Sequence, residues 1–255
     1  MSSSEQIKHA VQRQFGAAAD RYAVAKVHIS GADLECLVAA AELSGGEQLL
    51  DVGSGAGHSA LAFARAGANV VGIDLTAQMV ATARELADRE ELWNARFEQG
   101  DAKRLPFERD QFDRVTCRLC AHHFADVPAA LAEIRRVLRP GGRFLLEDSV
   151  APEEDQRDRF FQEFETLRDP SHVRNYRVSE WSAMLRDAGL EPQPIGDWEL
   201  QIDFDDWVAR MHTPPDAVTA LRRLADATPA PIRDSFRFSG QSGVFLIPIA
   251  AFAAR

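Results

Sequence analysis

Apolar positions along this chain alternate between two periods. Short apolar runs of strand length are followed by stretches in which apolar residues recur every three or four positions. Residues near 5–43 read as two or three helices, with Ile29, Leu34, Leu37, Val38 and Ala41 at helical spacing and Gly45-Gly46 ending the run. A strand over 48–52 meets the glycine cluster Gly53-Ser54-Gly55-Ala56-Gly57, and a helix over 58–66 stops at Gly67. A second strand covers 69–74. Thr76 then suits the N-cap of a helix to about residue 89. Strands at 95–99, 112–119 and 144–149 follow, the last two separated by a helix over 127–138 that closes at Arg139-Pro140-Gly141-Gly142. Regular strand and helix alternation predicts a parallel sheet covered on both faces, and right-handed crossovers fix most of its topology.

The second half is less regular. Residues 153–168 read as an acidic amphipathic helix, and Ser179 reads as the cap of another that stops at Gly189. Residues 198–204 form a strand-like run. A helical pair over 205–228 is broken by Pro214-Pro215. The apolar run 244–252 reads as a final strand whose Pro248 favours an edge or a bulge. No repeat or linker interrupts the chain, so one domain is expected over 1–255: N-terminal helices at 1–44, a core at 45–150, and further helices and strands at 151–255.

Composition narrows the function classes. With 45% hydrophobic and 27% charged residues, the 255-residue chain can bury a full core. A formal net charge of -10 disfavours nucleic acid as a partner. No apolar run approaches the roughly 18 to 20 residues of a membrane span, and the polar start lacks a secretory signal's apolar core. A soluble, cytoplasmic protein without membrane partners is expected. The three cysteines give no disulfide framework. Cys117 and Cys120 have C-x-x-C spacing, but on a continuous strand they would face opposite ways, which argues against redox or zinc chemistry.

The glycine cluster is the strongest chemical signal. A strand entering a glycine-rich turn that opens a helix lets a ligand approach the backbone closely. Alone, the turn suits NAD, FAD or S-adenosylmethionine. Asp74, about 20 residues on, ends the second strand, where a carboxylate can accept ribose hydroxyls or simply cap the next helix. Asp51 discriminates between the ligands. An acid beside the turn repels a pyrophosphate, whereas S-adenosylmethionine carries a sulfonium and an ammonium group and no phosphate. Asp101, in Gly100-Asp101-Ala102, is placed to accept the adenine amino group.

With these residues in place, the chain resembles the class I S-adenosylmethionine-dependent methyltransferases, and is similar to their ubiquinone and menaquinone C-methyltransferase-like small-molecule branch. LLDVGSGAGHSALAFA, VVGIDLTAQMVATA, GDAKRLPF, FDRVTCRLCAHHF and EIRRVLRPGGRFLLED carry the resemblance over about residues 45–150. It implies an α/β, Rossmann-like, doubly wound, mostly parallel seven-stranded sheet in the order 3-2-1-4-5-7-6. An N-terminal helical lid and helical insertions after strand 5 would complete it. It further implies that Gly53, Ser54, Gly55 and Gly57 line the methionine and ribose end of the cofactor. Asp74 and Leu75 would hold the ribose, Met79 would pack near adenine, and Asp101 and Ala102 would read it. Arg118 stands where the methionine part sits in such enzymes, or else is a surface or helix-facing arginine. Phe15 and Tyr22 belong to the lid segment, and Tyr22 either touches cofactor or substrate or packs.

Residues after the fourth and fifth strands should face the substrate. His122 and His123 are the candidate bases, since a neutral imidazole accepts a proton near neutral pH, with His123 preferred. The alternative is that one caps a turn and the other packs. His123, Asp169 and His172 would converge on a metal only if their loop folds over the site; no metal is expected. Phe160, Phe161, Phe164, Trp181, Trp207 and Met211 either fill the core or line an apolar substrate pocket. The expected activity is methyl transfer to an oxygen, carbon or nitrogen of a small molecule, by a monomer or homodimer. The rivals are a methyltransferase acting on RNA or protein and a cofactor-binding partner protein without turnover.

Overall fold

The computed structural model describes residues 3–238 and 243–255. Three helices lead, α1 (Ser3–Ala23), α2 (Lys26–Ile29) and α3 (Ala32–Ala40). The alternating segment follows: β1 (Gln48–Val52), α4 (His58–Arg65), β2 (Asn69–Asp74), α5 (Ala77–Arg89), β3 (Ala95–Gln99), β4 (Phe112–Arg118), a 3₁₀ turn (Ala121–His123), α6 (Val127–Val137) and β5 (Leu138–Ala151). Beyond it lie α7 (Asp155–Arg168), the two-residue β6 (Tyr176–Arg177), α8 (Val178–Asp187), β7 (Pro192–Asp203), α9 (Phe204–Arg210), α10 (Pro215–Ala227), α11 (Ala230–Ser235) and β8 (Val244–Ala254).

The sheet runs β3-β2-β1-β4-β5-β8-β7, with β6 paired to β5 off this path. β1 to β5 are parallel, and β8 is antiparallel to both neighbours. With the short β6 set aside, this is the expected order 3-2-1-4-5-7-6. The pleat sends successive residues to opposite faces. Leu50 and Val52 join Val115, Ile134 and Trp181 beneath α6 and α8, while Leu49 joins Leu37, Phe63 and Ala83 beneath α3, α4 and α5. A third apolar cluster sits where β7 and β8 extend beyond the sheet. There Phe161, Phe164, Trp207 and Leu221 cover Ile202, Phe245 and Ile247.

Pro248 holds a local edge position, as expected, within a strand that has neighbours on both sides. It sits one residue past the last β5–β8 pair, Ser149 with Ile249, so only β7 pairs there. Ser179 is not the cap of α8. The N-cap is Arg177, whose N–H donates to Glu180 Oε2 at 2.8 Å, and Ser179 instead donates its N–H and hydroxyl to Glu153. Thr76 does hold the N-cap position of α5, but its hydroxyl makes no capping bond. Phe160, Phe161, Phe164, Trp181, Trp207 and Met211 are all buried in the core, and none lines the main cavity. Among the described residues, no helix is long and apolar enough to cross a membrane.

Candidate active site

The glycine turn is built by hydrogen bonds to the end of β2. Gly53 N–H and Ser54 N–H both donate to the Ile73 carbonyl, at 2.8 and 3.0 Å, and Gly57 N–H donates to the Ser54 carbonyl at 2.8 Å. Gly55 N–H donates to Asp74 Oδ2 at 2.9 Å, and Asp74 Oδ1 accepts Thr76 N–H at 2.8 Å. Burial pushes the Asp74 carboxyl upward against these two amides. Gly53 has φ +72°, and a Cβ there would overlap the Cys120 sulfur. Glycine is thus required at this position both by backbone conformation and by close approach.

This turn forms one wall of a cavity at the carboxyl ends of β1, β2 and β4. The structure brings Gly53, Ser54, Gly55, Asp74, Leu75, Met79, Asp101, Ala102, Arg118, Tyr22 and His123 to its lining. It leaves out Asp51, Gly57 and His122. Asp51 is 1% exposed within β1. Its Oδ2 has no partner, and burial raises its carboxyl to about 7. Gly57 serves packing, since a Cβ there would press on Ala83 and Phe97 at 3.0 Å.

α1 covers the cavity: the lid residues Phe15 and Tyr22 line it together with Lys8 and Val11, which the motifs missed. Their spacing places them along one helical face, a signal that was present in the sequence. Lys8 Nζ pairs with Asp101 Oδ2 at 2.7 Å, and Gln12 Nε2 donates to the Leu75 carbonyl at 3.2 Å. Asp101 Oδ1 accepts Lys103 N–H at 3.0 Å. Burial opposes ionisation of Asp101, but Lys8 and that amide hold its carboxyl below the usual range.

Arg118 is neither a surface residue nor a free cation. Its Nε donates to Glu147 at 2.7 Å, another nitrogen pairs with Asp33, and a third donates to the His28 carbonyl at 3.2 Å. Strand β4 is thereby clamped to the N-terminal helices. The His28 ring stacks on Tyr22 at 5.1 Å. Burial and the guanidinium groups of Arg210 and Arg118 hold His28 well below its ordinary value, so its ring is neutral. Its Nε2 is buried without a partner.

The histidine pair follows β4. The chain leaves the strand at Leu119, whose φ is +50°, and turns through Ala121–His123. That turn also undoes the strand-alternation argument for the cysteines: the Cys117 and Cys120 thiols interact, and both cysteines are free. His122 does not reach the cavity because its Nδ1 donates to Asp148 Oδ1 at 2.5 Å and its N–H to Asp148 Oδ2 at 3.0 Å. Burial opposes its charge, but Asp148 prevails and raises it. His123 does line the cavity, edge-on to Phe15 at 4.8 Å between ring centroids. Burial first, then the neighbouring His122, lower it to about 4. The segment 169–175 folds over the pair, with Val173 and Arg174 N–H donating to the His122 carbonyl at 3.0 and 3.1 Å. His172 lies 6.1 Å from His123 ring to ring. Among the described residues, no group of three His, Cys, Asp or Glu side chains is arranged to hold a metal ion.

Comparison with known proteins agrees with this layout. Residues 50–146 match the model of a methyltransferase domain. The uncharacterized methyltransferase YcgJ of Bacillus subtilis is 42% identical over 226 residues, spanning 87% of this chain and 88% of that protein. The YcgJ structure matches with a TM-score of 0.83, covering 87% of this chain and 97% of that one at 39% identity. A solved protein of Bacillus halodurans matches with a TM-score of 0.84 at 35% identity, covering 88% and 99%. Demethylmenaquinone methyltransferase of Deinococcus radiodurans is 38% identical over 149 residues, or 56% of this chain and 61% of that protein.

Proposed function

This chain belongs to the methyltransferase family, and from that premise we propose that it transfers a methyl group from S-adenosylmethionine to an oxygen, carbon or nitrogen of a small molecule. The observation that carries the choice of cofactor is the fate of the turn's amides. The N–H groups of Gly53, Ser54, Gly55 and Gly57 are all spent on Ile73, Asp74 and Ser54. A dinucleotide needs such amides for its pyrophosphate, and here a carboxylate stands where the phosphate would lie. A sulfonium cofactor meets no such repulsion.

The remaining groups fit S-adenosylmethionine. Each Asp74 oxygen accepts one amide, which leaves lone pairs for ribose hydroxyls. Met79, Asp101 and Ala102 line the same cavity and would hold the adenine. Ser54 Oγ and His28 Nε2 are buried on the cavity wall without partners, and polar atoms of a ligand would satisfy them. When bound, the cofactor supplies an electrophilic methyl group on sulfur. The protein aligns the acceptor, excludes water beneath α1 and offers the neutral imidazole of His123 at the reacting end.

Calorimetric titration tests this reading. Saturable binding of S-adenosylmethionine is expected, with none of NADH, and Asp74→Ala or Asp101→Ala should abolish it. Binding of NADH alone would overturn it.

A further inference from the structure

Behind the cavity-lining His123 stands an arrangement that the family motifs do not explain. His123 Nδ1 lies 3.1 Å from the Ser171 carbonyl oxygen. A carbonyl can only accept, so Nδ1 carries the hydrogen and Nε2 of the neutral ring keeps its lone pair. Facing that lone pair at 3.9 Å is Asp169 Oδ2. Asp169 is 1% exposed, and Oδ2 has no hydrogen-bond partner. Its other oxygen is occupied by the Ser171 N–H at 2.8 Å and hydroxyl at 2.7 Å. Two acceptor atoms therefore face each other with no hydrogen between them, and one is a buried carboxylate oxygen. Leaving such an oxygen unpaired costs stability, unless a proton arrives during function.

Resting on the reading of this cavity as a methyl-transfer site, we propose that His123 Nε2 is the atom that takes the acceptor's proton and that Asp169 is a positioning residue that holds it there. The O–H or N–H bond of the acceptor breaks and its electron pair stays on the nucleophilic atom. The proton bonds to Nε2, and the charge of the resulting imidazolium is balanced by Asp169 Oδ2 at 3.9 Å. This restricts the acceptor to one whose nucleophilic atom carries a hydrogen, as in a phenol, an enol or an amine. A thioether or tertiary amine would leave the device without use. The surroundings agree. His122 is paired with Asp148, His172 is neutral, and Phe15 covers the ring, so Asp169 is the carboxylate that meets Nε2 directly. Asp148 acts on His123 only through space, behind His122.

The test needs no known acceptor. Long-range proton–nitrogen NMR of histidine-labelled protein reads the tautomer and titration of His123, which is assigned by loss of its signals in His123→Gln. The expected result is the Nδ1–H tautomer in the wild type. In Asp169→Asn, the proton affinity of His123 should fall about tenfold, because an opposite charge at this range is removed. The asparagine keeps Oδ1 for Ser171, so the segment retains its anchor. A neutral His123 protonated on Nε2, or a titration unmoved by Asp169→Asn, would overturn the proposal. The wild-type tautomer decides the first point even if the variant does not fold. Calorimetry with S-adenosylhomocysteine on the same samples separates the two readings. Retained binding with an unmoved histidine refutes this proposal alone, whereas no binding to the wild type refutes the methyltransferase site itself.

Discussion

Lys8 Nζ lies 2.7 Å from Asp101 Oδ2, joining the first helix to the loop after β3. Both residues line the cavity, so α1 is fastened to a residue that the proposed cofactor would use. Replacing Lys8 with Met keeps the length of the side chain and removes the charge. A partly exposed ion pair is worth about 0.2–1 kcal/mol. Release of S-adenosylmethionine should therefore quicken by up to about fivefold, measured by stopped-flow competition. The wild type should show the same acceleration in molar salt, and the variant should not respond to salt.

Gly53 and Cys120 form a second close relationship, between the turn and the segment after β4. Gly53→Ala should lower stability by about 2 kcal/mol or more and weaken cofactor binding, since it meets both a positive φ and the Cys120 side chain. Removing that side chain separates the causes. In Gly53→Ala with Cys120→Gly the clash is gone and the backbone strain remains, so part of the loss should return. A double-mutant cycle from urea melts reads the coupling.

The Arg118 guanidinium joins two buried carboxylates, Asp33 and Glu147. Burial raises Glu147 to about 8, so Arg118→Met would strand chiefly the Asp33 charge, and breaking such a buried pair costs about 3–5 kcal/mol. The helices α2 and α3 should loosen first, because Asp33 and the His28 carbonyl are their anchors. Hydrogen exchange of residues 26–40 should quicken before the melting midpoint of the whole chain accounts for it.

Asp51 makes stability depend on pH. Its folded value of about 7 lies above the ordinary 3.8. A raised carboxylate contributes stability fully below the unfolded value and loses it as pH rises through the folded one. Wild-type stability should therefore fall between about pH 4 and 7, by as much as about 4 kcal/mol from this residue. Asp51→Asn should flatten that slope in urea unfolding across the range. An unchanged slope would show that the carboxyl is solvated in the folded state.

How much of this could be read in the sequence follows from the range of the interactions. The glycine turn, Asp74 and Asp101 are legible because each function is carried by a few neighbouring residues at the end of a strand. The sheet order came with the resemblance those motifs carry. Pro248 is legible as an edge position, although the strand that stops short of it, β5, lies about a hundred residues earlier. Arg118 is legible as facing the cavity or a helix, but its partners, Asp33 and Glu147, lie 85 and 29 residues away and leave no local signal. Lys8 was legible only as part of a helical face, and nothing local says that this face meets Asp101. The opposition of Asp169 and His123 needed the 169–175 segment to fold back, through backbone bonds to His122 that no side-chain pattern encodes.

Asp148 links the two histidines electrostatically. It holds His122 above its ordinary value despite burial, and the resulting charge on His122 is one of the influences that depress His123. Asp148→Asn should act on both rings in opposite directions. His122 loses the carboxylate and titrates lower. His123 then faces a neutral neighbour and binds its proton more tightly. The stability effect has a definite sign. A histidine raised in the folded state contributes fully below its unfolded value of 6.5 and loses that contribution as pH rises through its folded value. The variant should therefore be less stable than the wild type at pH 6, with the difference shrinking as the solution becomes more alkaline. Urea unfolding at pH 6 and pH 9 gives the stability arm, and histidine NMR gives the two titrations. If both histidines moved down together, the direct attraction of Asp148 for the His123 proton would outweigh the repulsion from a charged His122.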